Sequence, residues 1–224
     1  RLSGEASSLD DAAKILDQIR ANDTSEHRKD LARAEQATID FIKTLRSGNA
    51  ETIDKLAWKI TEGSGNPDAM LLATSYLTDR HFTDLKKIVD DNPRWIEDDE
   101  VKPVRDRLYN LALDFALYPS LFLGTRETES AIGLKKASDI YQFTGENLLA
   151  KKVLEDLAAL YPSSEPAKET APLLAKLKSQ EAAGKLSVMA AAPKEEKAEE
   201  KEEKEEVAPT GAPPPPKKYN IFGD

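Results

Sequence analysis

The sequence is poor in several residues on which chemistry and sheet structure depend. Its 224 residues include no cysteine, two histidines and 6% aromatic residues. Without cysteine there is no disulfide, thiolate metal site or cysteine nucleophile, but a cytosolic chain and a disulfide-free exported chain both fit this composition. Long β-branched runs, which build sheets, are also missing. No run reaches the roughly 18 apolar residues that a membrane-spanning helix needs, so we expect no transmembrane segment.

Basic residues are outnumbered along the whole chain. The formal net charge is −9, of which −2 falls from residue 183 onward and −7 on the preceding body. No stripe of lysine and arginine of the kind that neutralises phosphates can be drawn on the body. We therefore expect no nucleic-acid partner.

Motifs for catalysis or metal binding are missing too. His27 and His81 stand in polar settings near the starts of predicted helices and are interpreted as surface residues, outside any metal-ligand spacing. There is no glycine-rich phosphate loop and no GxSxG elbow. A pair of carboxylates of the glycosidase type needs only two acids in a cleft and stays open as an alternative, against which the short chain and few aromatics argue. We expect no enzyme activity, no cofactor and no metal.

What is present is helical periodicity. Apolar residues recur at helix spacing and predict six helices before residue 120, including one opened by Pro67 and a second, shorter one that ends before Asn92. The stretch from residue 117 to residue 124 is unusually apolar for a connection. It predicts a turn folded onto the core; the alternative is an exposed patch that receives a partner.

Residues 131–162 read AIGLKKASDIYQFTGENLLAKKVLEDLAALYP and resemble a tetratricopeptide repeat. Small residues stand where the two helices of such a unit cross, a tyrosine and a turn glycine fall in the family's places, and apolar residues fill the second helix. These residues are Ala137, Ser138, Tyr141, Gly145, Ala150, Leu154, Leu157 and the terminal Pro162. Leu134 departs from the family's tryptophan.

The resemblance implies an all-α fold, an antiparallel helix-hairpin solenoid over residues 1–182 with a closing helix at about 165–182. Pro172 lies in that last segment, so we expect the regular helix to begin late or to kink there. The segment is also similar to the ends of repeat arrays in bacterial cell-envelope proteins, which favours the periplasm or envelope over the cytoplasm. Arg1 in place of methionine suggests a processed or truncated chain, which leaves open whether a signal peptide or lipid anchor was removed.

Tetratricopeptide arrays bind peptides or protein surfaces in a groove lined by the first helix of each pair. The resemblance places Lys135, Asp139, Gln142 and Phe143 in that groove; the alternative is that they are ordinary surface residues. Family members that clamp a terminal carboxylate have asparagine where this chain has Asp139, and an acid there repels such a ligand.

Residues 183–224 are predicted to be a disordered acidic and proline-rich tail, because the run of glutamate and lysine has no large apolar residue to bury. The tail ends KKYNIFGD, where Tyr219, Ile221 and Phe222 form a candidate docking motif for a partner or for the chain's own body. The sequence thus predicts a scaffold or adaptor that binds a protein or peptide. The alternative is a structural subunit of a large, membrane-associated assembly.

Overall fold

The computed structural model describes residues 6–47, 49–63 and 66–186. Those residues form eight α-helices and one short 3-10 helix, with no strand among them, which confirms the all-helical fold class. The helices are α1 (Ala6–Asn22), α2 (Glu26–Ser47), α3 (Ala50–Gly63), α4 (Pro67–Asp91), α5 (Val101–Phe122), α6 (Glu127–Phe143), α7 (Asn147–Leu160) and α8 (Glu165–Ala182), with the 3-10 turn at Trp95–Glu97. The chain divides into two units, Arg1–Pro193 and Lys194–Asp224, and the second lies outside the described residues.

Each helix packs against the next one along the chain. In addition, α2 contacts α4, α4 contacts α6, and α6 contacts α8. The even-numbered helices therefore lie side by side, and each odd-numbered helix from α3 to α7 packs against the two even-numbered helices that flank it in sequence.

The core follows the same order. Buried residues form three successive clusters, each shared by three consecutive helices, from α2–α4 through α4–α6 to α6–α8. The most completely buried large side chains include Phe41 in the first cluster, Leu85 and Ile140 in the second and Leu154 and Leu157 in the third. No helix buries its apolar face alone, so the clusters depend on the stacking of neighbours.

Helix α4 differs from the prediction. A single helix of 25 residues replaces the two predicted between Pro67 and Asn92, so five α-helices, not six, begin before residue 120. Its interior has neither glycine nor proline to interrupt it, and polar Thr78 is accommodated because its hydroxyl donates to the carbonyl of Thr74 at 2.8 Å. The start is as predicted, with Pro67 in the first turn after the capping Asn66.

The apolar stretch at residues 117–124 is not a turn. Helix α5 continues through it to Phe122 and holds Pro119 in its interior. Leu117 packs against two of the core clusters, whereas the side chains of Leu121 and Phe122 are 67% and 69% exposed. The predicted turn is therefore wrong, and the exposed end of α5 matches the exposure expected in the alternative interpretation.

Helix α8 begins at Glu165, before Pro172 and not at it. The Ser164 hydroxyl accepts a hydrogen bond from the backbone N–H of Ala167 at 3.3 Å and caps the helix. Pro166 stands in the first turn, where its missing N–H leaves no intrahelical bond unmade. A cap and a well-placed proline thus fix the start of α8 independently of Pro172.

Candidate interaction groove

The α6–α7 hairpin carries the residues of the tetratricopeptide resemblance. Ala137 and Ser138 of α6 are completely buried where α6 packs against its neighbours. Gly145 follows α6 with a φ of 80°, and its N–H donates to the carbonyl of Gln142 at 3.1 Å while the N–H of Glu146 donates to that of Tyr141 at 2.8 Å. This is a Schellman motif, which ends α6 and requires a residue that tolerates positive φ.

A groove runs between α4, α6 and the connection from α7 to α8. Its cavity volume is about 1040 Å³. Helix α6 supplies six of the lining residues, α4 contributes Asp79 and Phe82, and residues 160–166 with Glu169 line the groove from the end of α7 to the first turns of α8. The groove therefore lies on the face where even-numbered helices stand side by side.

One face of α6 presents a regular stripe to this groove. The lining residues Thr128, Ile132, Lys135 and Asp139 follow one another at spacings of four, three and four. Such spacing keeps side chains on one face of a helix, and eleven residues of rise correspond to about 16 Å. The groove thus offers a linear row of one apolar and three polar side chains rather than a single point of contact.

Two lysines of α6 tie this helix to both neighbours across the groove. The Lys136 ammonium lies 2.7 Å from a carboxylate oxygen of Asp79 and donates to the hydroxyl of Ser75 at 3.1 Å, both on α4. Lys135 hydrogen-bonds Glu169 of α8, and this bond raises the pKa of the lysine. Exposed pairs of this kind stabilise a fold by about 0.2–1 kcal/mol each. Their main consequence here is that both lysines are already partnered within the chain.

Asp139 is accessible to solvent but has no cationic side chain within 4.0 Å among the described residues. Protein on either side of the groove displaces water from its carboxyl and raises its pKa, an effect that Lys135 and Lys86 offset only in part. A carboxylate that is partly dehydrated and unpaired gains from a cationic group that approaches it from outside.

The groove also contains apolar surface. Ile132 and Leu160 are 40% and 64% exposed. Phe82 packs partly buried against a core cluster, with the Lys86 ammonium 3.9 Å from its ring centroid. Sequence reasoning missed these three residues. The four-residue step from Thr128 to Ile132 on the lysine-bearing face of α6 was a signal that could have found Ile132, whereas Phe82 and Leu160 join the groove only through tertiary packing.

The predicted site residues separate into three groups. Lys135 and Asp139 line this groove. Gln142 and Phe143 do not line it: the Gln142 amide donates to the Ser138 hydroxyl at 3.2 Å, and the Phe143 ring meets Phe82 edge-on with 5.7 Å between centroids. Phe143 is thus a packing residue between α6 and α4. Tyr219, Ile221 and Phe222 lie outside the described residues.

The two histidines differ in setting. His27 is exposed on α2, as predicted. His81 instead lies within α4, with its ring stacked on Phe115 at a centroid distance of 6.0 Å and close to Trp58, and both ring nitrogens are buried without a hydrogen-bond partner. The prediction of a surface position for His81 is wrong, because polar neighbours in sequence such as Arg80 lie on a different face of the helix.

Two further findings concern the described residues alone. None of their helices is both long and apolar enough to cross a membrane. The histidines and carboxylates in this part of the chain form no group of three or more that could hold a metal ion.

Comparisons with protein-family models, with curated protein sequences and with solved structures find no match to this chain.

Proposed function

We propose that this chain is a non-enzymatic interaction scaffold or adaptor, which binds a segment of a partner protein in the groove between α4, α6 and α8. The observation that carries the proposal is the groove itself, with its row of polar and apolar side chains along α6 and its exposed Ile132 and Leu160. Clefts with apolar walls and a few placed polar groups are the usual sites of ligand recognition.

The proposed architecture is an antiparallel helix-hairpin solenoid of tetratricopeptide type. In it, α2, α4, α6 and α8 are the inner helices and the α6–α7 hairpin is one repeat. Contacts of each even-numbered helix with the next even-numbered helix support this arrangement, because stacked hairpins place their first helices in one continuous layer. The groove then occupies the inner surface that such arrays use for binding.

Binding rather than catalysis is supported by the state of the groove's basic groups. The hydrogen bond from Lys135 to Glu169 stabilises the charged ammonium, and Lys136 is held by Asp79 and Ser75. A lysine held in its charged form is a poor nucleophile and a poor base. Turnover of any substrate that depended on Asp139 or another groove carboxylate would contradict the proposal.

The test is affinity capture with four forms of the chain, read by mass spectrometry: the whole chain, a form ending at Pro193, the double variant Ile132→Glu/Leu160→Glu, and its matched control. The control is Ile15→Glu/Leu31→Glu, which changes two side chains that are 57% and 53% exposed on α1 and α2. Both double variants add the same charge to exposed positions.

We expect the groove variant to lose partners that the control retains. Loss on truncation at Pro193 alone would assign recognition to residues 194–224 and leave the helices as a spacer. Partners retained by all four forms, or capture of none, would count against a role for the groove.

A structural subunit of a larger assembly is the second candidate function. The exposed Leu121 and Phe122 favour it, because two large apolar side chains at the end of a helix form a surface that water solvates poorly. The variant Leu121→Ser/Phe122→Ser distinguishes the two functions. A structural subunit should dissociate from a complex that otherwise copurifies in fixed proportion, whereas a groove-based adaptor should keep its partner.

A further inference from the structure

The groove contains an excess of carboxylates over cations. Its lining has five carboxylates and two lysines, and both lysines are engaged by carboxylates of neighbouring helices. The lining carboxylates are Asp79, Glu127, Asp139, Glu165 and Glu169. Once the two ion pairs are set aside, the charge that the groove presents to a ligand is negative.

Two of these carboxylates are left for a ligand. Asp139 and Glu127 have no cationic side chain within 4.0 Å among the described residues, whereas Glu165 has Lys168 at 3.8 Å. Asp139 stands toward the C-terminal end of α6 and Glu127 at its first residue. Twelve residues of helical rise separate them by about 18 Å along the groove.

The helix N-termini beside the groove do not reverse this charge. A free helix N-terminus carries a partial positive charge and attracts anions. Glu127 and Glu129 occupy the first turn of α6, and Glu165 occupies the first turn of α8. Glu129 and Glu165 alone place a negative charge in each of these first turns, so an acidic ligand gains little from the two N-termini.

Apolar surface lies between the two free carboxylates. Ile132 projects from α6 partway between Glu127 and Asp139, and Leu160 faces the same groove from the end of α7. A ligand that pairs with both Glu127 and Asp139 therefore also needs apolar side chains between its charged groups.

We propose that the groove binds a cationic segment of a partner protein, in which two basic residues about 18 Å apart meet Glu127 and Asp139 and apolar residues between them contact Ile132 and Leu160. In an extended chain this separation corresponds to basic residues about five positions apart. The inference rests on the proposed binding function of the groove and assigns the chemistry of its ligand.

The probe is a labelled six-residue peptide with lysine at both ends and alternating alanine and leucine between them, acetylated and amidated so that its termini are uncharged. Matched peptides replace lysine by glutamate, or leucine by serine. Fluorescence anisotropy with the full chain at low salt should show the lysine–leucine peptide binding most tightly, with affinity falling as salt is added.

Asp139→Asn and Glu127→Gln should each weaken this binding about two- to five-fold, and together about ten-fold. The control is Glu35→Gln/Asp156→Asn, which removes the same charge from exposed positions outside the groove lining and should leave the affinity unchanged. If both double variants lost the same peptide affinity, the overall negative charge of the protein would explain the binding, and the assignment to Glu127 and Asp139 would be overturned. Absence of binding at about 1 mM lysine–leucine peptide would overturn it as well.

The test also separates this inference from the proposed function. Binding of the glutamate peptide at least as tightly as the lysine peptide, with loss on Ile132→Glu/Leu160→Glu, would overturn the cationic assignment and leave the groove as a binding site. If no peptide binds and captured partners also ignore the groove variant, both the inference and the proposed function fail.

Discussion

The backbone of Ala116 in α5 lies so close to Gly133 in α6 that a Cβ built on the glycine would stand 2.3 Å from the Ala116 carbonyl oxygen. Glycine is therefore required at this point by helix contact rather than by backbone conformation, since Gly133 has no positive φ. The contact sets how closely α6, the central helix of the groove, approaches α5.

Replacing Gly133 by alanine should destabilise the protein. An alanine inside a helix ordinarily gains about 1 kcal/mol over glycine, but overpacking against a neighbouring backbone costs about 1–3 kcal/mol and should outweigh that gain. Gly63→Ala is the control, because a Cβ at Gly63 meets nothing within 4 Å. Urea unfolding followed by circular dichroism should show a lower midpoint for Gly133→Ala only, and equal midpoints would contradict the close approach.

Two asparagines cap helices, and we expect them to contribute unequally to stability. Asn49 accepts a bond from the N–H of Thr52 at 3.2 Å, whereas Asn66 caps α4 and also donates to the Ala34 carbonyl at 2.7 Å and the Thr38 hydroxyl at 3.0 Å on α2.

Asn49→Ala should cost about 1 kcal/mol, the usual loss of a cap. Asn66→Ala should cost about 1 kcal/mol more, because it also removes the two hydrogen bonds from Asn66 to α2, one of them to the buried Thr38 hydroxyl. The free energy of unfolding of each variant measures the difference, and a larger loss at Asn49 would refute the role given to the bonds with α2.

His81 should make stability depend on pH. Burial between aromatic rings lowers its pKa below the usual 6.5, so the folded state binds the proton less tightly than the unfolded state does. Above pH about 6.5 His81 is neutral in both states and does not change the free energy of unfolding. As pH falls below that value, protonation of the unfolded chain lowers the stability, until pH reaches the lowered pKa of the folded state.

Replacement of His81 by leucine should remove this part of the pH dependence. Unfolding free energies measured between about pH 5 and pH 7.5 should fall less steeply toward acid in His81→Leu than in the parent chain. The same replacement at the exposed His27 should preserve the parent slope. Identical slopes in all three proteins would show that His81 is as accessible to protons as in the unfolded chain.

Asp139 should lower the stability of the protein at neutral pH. Dehydration raises the pKa of Asp139 in the folded state above its value in the unfolded chain. The protonated carboxyl therefore favours folding at pH values below the unfolded pKa, and this stabilisation is lost as pH rises through the folded pKa. Asp139→Asn should therefore be more stable than the parent at pH 7 and equal to it near pH 3.

Asp156→Asn, which makes the same charge change at an exposed position of α7, controls for the overall negative charge. Urea titrations at both pH values would give the comparison. A gain at pH 7 no greater than that of Asp156→Asn would show that the groove does not dehydrate Asp139.

Local signals in the sequence located many helix ends and core positions correctly. Pro67 stands in the first turn of α4, Gly145 lies in the turn after α6, and the predicted apolar positions Leu154 and Leu157 are buried. Caps, turn glycines and 3.6-residue periodicity depend on neighbours a few positions away, so they can be read without knowledge of the fold.

Errors arose where the same local pattern permits two outcomes. The sequence predicts two helices between Pro67 and Asn92, but α4 continues unbroken, with the Thr78 hydroxyl bonded to the carbonyl of Thr74 in the preceding turn. The resemblance implies a groove position for Phe143, and only the structure shows that its ring packs edge-on against Phe82 of α4.

The sequence by itself determined that the body is helical, which faces of most helices are apolar, and that its charge is negative, because composition and periodicity act within single helices. Only tertiary structure decided that Asp79 and Glu169 pair with the lysines of α6 while Asp139 has no such partner. That result depends on the side-by-side packing of α4, α6 and α8, whose residues are far apart in sequence. The groove and its unbalanced charge are properties of that packing.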